Sequence, residues 1–225
     1  MSFRFHLQSQ TLVLIDWANV YNWTKKRRRV VDPELLYRFL KSHKNVDRIC
    51  LFAGEDDHPK SREFLEQCRT IGYEVFSKSV KYIPLRVEQS PLWEEIRQYL
   101  PEKKLKHLQD EPILYRKCDF DVEISKEILL NMDRYHTFVL FSGDGDYAPV
   151  IEELLKREHR VFVVSKPSAL GRELREMMQR KVHPLLIDVE SLPQIFNMSP
   201  RKKLPEKKGF FGRLWELLRM VFGGK

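Results

Sequence analysis

The chain has 225 residues, a formal net charge of +8, and 42% hydrophobic and 32% charged residues. That balance excludes an intrinsically disordered polymer and fits one sizeable folded domain with an appendage. Nothing approaches 18 consecutive apolar residues, so no membrane-spanning helix is expected.

Residues 1–10 (MSFRFHLQSQ) form an N-terminal extension without an apolar core, so no secretory signal is expected and the expected location is the cytoplasm. Residues 11–15 (TLVLI) are a continuous apolar run, the pattern of a strand buried on both faces of a sheet. Asp32, Pro33 and Glu34 open a helix to about residue 41, with Asp32 as its N-cap. A strand at 48–53, a helix at 59–71 closed by Gly72, and a strand at 73–76 follow. Residues 80–116 carry a mixed signal with four prolines and read as an insertion, with a helix over 91–108.

A helix is predicted at 120–132, a strand at 137–141, a helix at 148–156, a strand at 160–164, a helix at 170–180 and a short strand at 184–187. Strands separated by helices predict an α/β fold, a mostly parallel central sheet flanked by helices on both faces. The domain runs to residue 198. Residues 199–208 read as a basic linker and 209–225 as an amphipathic terminal segment. Cys50, Cys68 and Cys118 lack metal-ligand spacing and read as reduced thiols, which argues against structural zinc.

In such a sheet, ligands sit beyond the carboxyl ends of the strands. The first predicted strand ends in Asp16, with Asn19 three residues on, and the fourth ends in SGDGD, which holds Asp144 and Asp146. Asp119 and Asp121 enter a helix between them in sequence. Clustered carboxylates repel one another unless protonated or neutralised by a cation. Oxygen ligands without His or Cys favour Mg²⁺ or Mn²⁺, which can activate water for phosphodiester hydrolysis.

Each residue also has a plainer role. Asp16 is read alternatively as a structural aspartate, Asn19 as a turn or cap, and Asp146 as the cap of the following helix. Asp121 can cap its own helix, with Asp119 competing. Asp144 has no such local role, because one cap suffices and a second carboxylate adds repulsion. An Asp-x-Asp phosphatase is disfavoured, because its nucleophile normally ends the first strand and this pair follows the fourth.

LVLIDWANVYN resembles the opening motif of NYN domains, the LabA-like branch of the PIN-like nucleases. KCDFDVEISKEIL is similar to their second motif, and FVLFSGDGDYAPVIEELLKREHRVFVV to their third. The closing strand is matched by HPLLIDVESL. The resemblance implies a Rossmann-like PIN/NYN fold and metal-dependent RNA cleavage. It implies that Asp16, Asp121, Asp144 and Asp146 form the metal pocket, with Asn19 beside it. Cys118 stands where the family usually has Gly, Asp119 is an extra acid, and a further family acid falls at Glu127, whose helical phase points away from Asp121.

Lys25, Lys26, Arg27, Arg28 and Arg29 follow the first motif on the predicted active-site edge, and Lys117 is the lysine of the second. These cations are expected to hold an RNA phosphate backbone. Trp17, Tyr21 and Trp23 are candidate base-stacking rings or core residues.

The basic balance concentrates at the other end. Residues 200–225 hold eight Lys/Arg against Glu206 and Glu216, a net +6 that leaves +2 for the remainder. The segment 209–222 is too apolar to face water and too short to span a bilayer. Its expected cover is its own domain, a second copy of the chain in a homodimer, a protein partner or a membrane surface, the last making the protein peripheral. The sequence thus supports a metal-dependent endoribonuclease, with a non-catalytic RNA-binding or scaffold module as the alternative.

Overall fold

The structure, a computed structural model, describes residues 7, 9–24, 29–85 and 113–198. Contacts divide the chain into two compact units, one of residues 1–78 with 119–202 and one of residues 79–118 with 203–225.

In the first unit, the apolar run forms β1 (Thr11–Asp16), buried along its whole length. A strand buried on both faces belongs at the centre of a covered sheet. β1 pairs in parallel with β3 (Val46–Glu55) on one side and β7 (Thr137–Phe141) on the other. β7 pairs in parallel with β8 (Arg160–Ser165), and β8 with β9 (Leu185–Asp188). With β4 (Glu74–Ser79) beside β3, the six-stranded order is β4-β3-β1-β7-β8-β9. The chain winds outward from β1 through β3 and β4, then the other way through β7, β8 and β9. The ends of β1 and β7 therefore flank the point where the winding reverses, where ligands bind in sheets of this kind.

Helices α1 (Trp17–Thr24), α2 (Pro33–Lys41) and α3 (Pro59–Ile71) bury Val20, Leu36 and Leu65 in one cluster with Val13 and Ile15 of β1. Alternation along the strand turns Leu12 and Leu14 to the other face. Helices α4 (Asp121–Leu130), α5 (Ala148–Lys156) and α6 (Arg172–Met177) bury Ile124, Ile151 and Leu174 outside that cluster, so both faces are covered. Asp32 caps α2 as its position suggests, accepting bonds from the Glu34 and Leu35 amides at 2.9 and 3.1 Å.

Several elements differ from the sequence pattern. The first motif continues directly from β1 into α1, a stretch to which the sequence pattern assigns no element. β2 (Arg29–Val31) pairs antiparallel with β10 (Phe196–Met198), two three-residue strands too short to show periodicity. The helix expected over 170–180 is shortened to α6, preceded by a 3₁₀ turn at Pro167–Ala169.

In the second unit, β5 (Lys81–Leu85) and β6 (Ile113–Lys117) form an antiparallel pair with Lys81 opposite Lys117. The helix expected at 91–108, the linker 199–208 and the segment 209–225 lie outside the described residues. No helix among the described residues is long and apolar enough to cross a membrane.

Candidate active site

Asp16 ends β1 at the reversal point, and its side chain is only 6% exposed. Because α1 begins at the next residue, the Asp16 carboxylate acts as that helix's cap. It accepts from the Asn19 backbone amide at 3.3 Å and from the Ala18 amide. Its other oxygen accepts from the Asn19 side-chain amide at 2.8 Å, the Ser142 hydroxyl at 3.5 Å and the Tyr147 hydroxyl at 3.4 Å. Burial still raises the Asp16 carboxyl above the ordinary aspartate value. The Asn19 bonds pull against that rise and the charge of Asp144 adds to it.

Ser142 follows β7 and is fully buried. Its hydroxyl accepts the Asp144 amide at 3.1 Å while donating to Asp16, which links the two strand ends. Asp144 then caps the 3₁₀ turn Gly145–Tyr147 by accepting the Asp146 amide at 3.1 Å. This corrects the sequence reading. The local capping role expected of Asp146 belongs to Asp144, whereas Asp146 lies inside the turn with an exposed side chain. The loop is seated by close backbone approach. Gly171 donates its N–H to the Gly143 carbonyl at 2.7 Å, and a Cβ on Gly171 would stand 2.5 Å from the Gly145 nitrogen.

Asp121 is the first residue of α4 and is half-buried. Burial, and then repulsion from Asp144, lift its carboxyl to about 6, with Asp119 and Asp16 adding smaller repulsions. The Tyr147 hydroxyl opposes the rise. Asp16, Asp121 and Asp144 thus come from β1, α4 and the turn after β7 into one mutually repelling group. Asp146 lines a shallow surface cleft with Asp121, Val122, Ser125, Lys126, Leu129 and Leu130. Among the described residues, no three His, Cys, Asp or Glu side chains are grouped so as to hold a metal ion by themselves. The expected pocket of four carboxylates is therefore not assembled as a ready cage.

The remaining candidates separate clearly. Glu127 pairs with Arg48 at 2.9 Å and accepts from the Asn131 side chain at 2.9 Å, which makes it part of a structural network. Lys25, Lys26, Arg27 and Arg28 lie outside the described residues, while Arg29 is exposed at the start of β2. Lys117 is exposed at the end of β6 in the second unit. Trp23 is 6% exposed and joins the core, and Trp17 packs against Phe64 with ring centroids 5.0 Å apart. Tyr21, at 54%, is the exposed ring of the three. Sequence reasoning left Ser142 and Tyr147 out of the site. Their signal was their place in SGDGDY, immediately around the acids.

A model of the NYN domain family matches residues 10–186. The Low amplitude and bright protein LabA of Synechococcus elongatus is 24% identical over 187 residues, which cover 81% of this chain and 86% of that protein. A crystal structure of a Vibrio parahaemolyticus protein of unknown function aligns with a TM-score of 0.56 at 20% identity. The match covers 87% of this chain and 100% of that one. The likeness to that structure is one of fold: the parallel α/β sheet.

Proposed function

The chain belongs to the NYN domain family, and on that premise we propose that it is a metal-dependent ribonuclease acting at Asp16, Asp121 and Asp144. NYN domains belong to the PIN-like nuclease superfamily. The observation that carries the reading is electrostatic: carboxylates from three separate segments repel one another, and two of them, Asp16 and Asp121, are held above their ordinary pKa. Such a group carries excess negative charge, and its donors are all hard oxygens. That fits Mg²⁺ or Mn²⁺, which binds through one or two carboxylates and keeps several waters.

Asp121 and Asp144 would hold the cation, with Asp16 behind them and Asp146 on the exposed rim. Once bound, the cation supplies charge neutralisation at the scissile phosphate and a more acidic water. The protein's own work is positional. Asn19 and Ser142 fix the Asp16 carboxylate, and the glycine contact at Gly171 fixes the turn that carries Asp144. Cations of the run Lys25, Lys26, Arg27, Arg28 and Arg29, with Lys117, would attract the RNA backbone without reading its sequence.

A second reading is favoured by the lack of a preformed three-ligand group among the described residues: a non-catalytic RNA-binding or scaffold module. One experiment separates the two. Purified full-length protein is incubated with end-labelled single-stranded RNA and Mg²⁺ or Mn²⁺, with and without EDTA, beside Asp144→Asn. The nuclease reading expects cleavage that EDTA and the substitution both abolish. RNA binding without turnover supports the module, and full activity in Asp144→Asn contradicts the site.

A further inference from the structure

We infer that the cleft beside Asp121 and Asp146 is a nucleotide subsite for single-stranded RNA, with Lys126 on a phosphate and Val122 and Leu129 under a base. This subsite presupposes the RNA substrate of the ribonuclease reading and extends the site along the neighbouring stretch of strand. Ile124 and Ile128 are the buried side of α4. Val122, Ser125, Lys126 and Leu129, at i, i+3, i+4 and i+7, form a stripe on another side. Val122 is 77% exposed, Leu129 52%, and Leu130 beside them 70%. All of these line one cleft of about 550 Å³, whose other lining residues are Asp121 and Asp146. That volume falls within the roughly 300–1,000 Å³ of sites that take small organic groups.

The cleft is continuous with the candidate site through Asp121, so a strand whose scissile phosphate lies there must pass over it or turn away. A purely apolar partner laid on the stripe would strip water from Asp121 and Asp146, which is costly. A nucleotide meets each part of the lining. Among the described residues, Lys126 is the cation of the cleft, and it is exposed. Its neighbours four residues away on the helix are Val122 and Leu130, which carry no charge. Glu123, three residues back, is paired with Lys78 at 2.5 Å. The Lys126 ammonium is therefore available to an anion from outside. About 7.5 Å of helix axis separates Asp121 from Lys126, comparable with the spacing of successive phosphates in an extended strand. Val122 and Leu129 offer an aliphatic surface on which an unpaired base can lie. Aliphatic carbons make no hydrogen bonds to base edges, so the subsite selects strandedness over sequence: in a duplex the base faces stay stacked on one another.

Full-length wild type, Lys126→Ala and the double variant Val122→Ser/Leu129→Ser are compared with fluorescein-labelled single-stranded RNA and Mg²⁺, by anisotropy read before cleavage. All three positions are exposed, so the variants are expected to keep the wild-type melting temperature. Lys126→Ala is expected to weaken binding about 2- to 5-fold. It should also reduce the slope of log Kd against log salt by about 0.7, the value of one phosphate contact on a single strand. Lys156→Ala, which removes an equal charge from the exposed end of α5, is expected to leave that slope alone. An unchanged slope in Lys126→Ala overturns the phosphate contact. The double variant is expected to lose at least about 5-fold on single-stranded RNA at an unchanged slope, with duplex RNA unaffected. RNA carrying 4-thiouridine, photo-crosslinked and mapped by mass spectrometry, is expected to mark residues 121–130, and marks confined to other residues overturn the subsite. A change of oligomeric state, or of proteolysis within residues 199–225, in a double variant of unaltered RNA affinity overturns it too, assigning the stripe to a second copy or to the terminal segment. RNA held at the subsite but never cut contradicts the ribonuclease reading and leaves the subsite standing. Cleavage that none of the variants alters does the reverse.

Discussion

The Asn19 side-chain amide donates a 2.8 Å hydrogen bond to the Asp16 carboxylate, and the Asn19 backbone amide adds a second at 3.3 Å. Both come from the first turn of α1, so the helix start and the carboxylate orientation are one structural fact. Asn19→Ala removes the stronger bond from a nearly buried acid. A hydrogen bond to a charged group contributes about 1.5–3 kcal/mol. Urea denaturation is expected to register a loss in that range, and RNA cleavage to fall by at least about tenfold. Undiminished cleavage contradicts a role for Asn19 at the site.

Gly171 is expected to tolerate no side chain. A Cβ there would stand 2.5 Å and 2.8 Å from the nitrogen and Cα of Gly145, both backbone atoms. Relief requires the Asp144 turn to shift, and a shift of about 1 Å in a catalytic group can cost about 100-fold in rate. Gly171→Ala should therefore lose cleavage with a melting temperature reduced, while Ser168→Ala on the neighbouring exposed turn should change neither.

The Asp121 carboxyl, lifted to about 6 from 3.8, gives a dependence on pH with a definite sign. A proton held more tightly in the folded state stabilises the fold fully below the unfolded pKa, and that contribution is lost as pH rises through the folded pKa. In metal-free protein, Asp121→Asn should raise the melting temperature more at pH 7 than at pH 4. Calorimetry in the presence of chelator reads the difference directly, and equal increments at both pH values contradict the raised Asp121.

Glu127 is expected to matter for stability alone. It lies against Arg48, which also pairs with Glu74 at 2.6 Å. Glu127→Gln leaves Arg48 with one carboxylate partner, so the loss should be about 1–2 kcal/mol, below that of breaking a fully buried pair. Cleavage kcat should be unchanged; a selective loss of kcat would place Glu127 in the chemistry.

The sheet was legible because its central strands are continuous apolar runs, and the places of Asp16 and Asp144 because they come at or just after the ends of those runs. What remained hidden depended on backbone geometry that residue types do not encode. Whether Asp144 or Asp146 caps the turn is decided by where the 3₁₀ segment begins, a difference of two residues, and both are aspartates. α1 was masked because Asp16 serves as strand end and helix cap at once, leaving no connecting loop to mark the boundary. β2 and β10 are each three residues long and have no period to detect. Tyr147 drew no reading of its own, and only the fold brings its buried hydroxyl to 3.4 Å from the Asp16 carboxylate. Trp23 went the other way, a candidate stacking ring that the contact of α1 with the sheet buries.

The proposed activity requires a catalytic divalent cation at the reversal point between β1 and β7. Crystals of the full-length protein soaked in Mn²⁺, with anomalous data collected at the manganese edge, test it most directly. A peak is expected within bonding distance of Asp121 or Asp144 carboxylate oxygens, lost in Asp144→Asn crystals soaked in the same way. Manganese bound only elsewhere on the protein, with none between β1, α4 and the Asp144 turn, would contradict it.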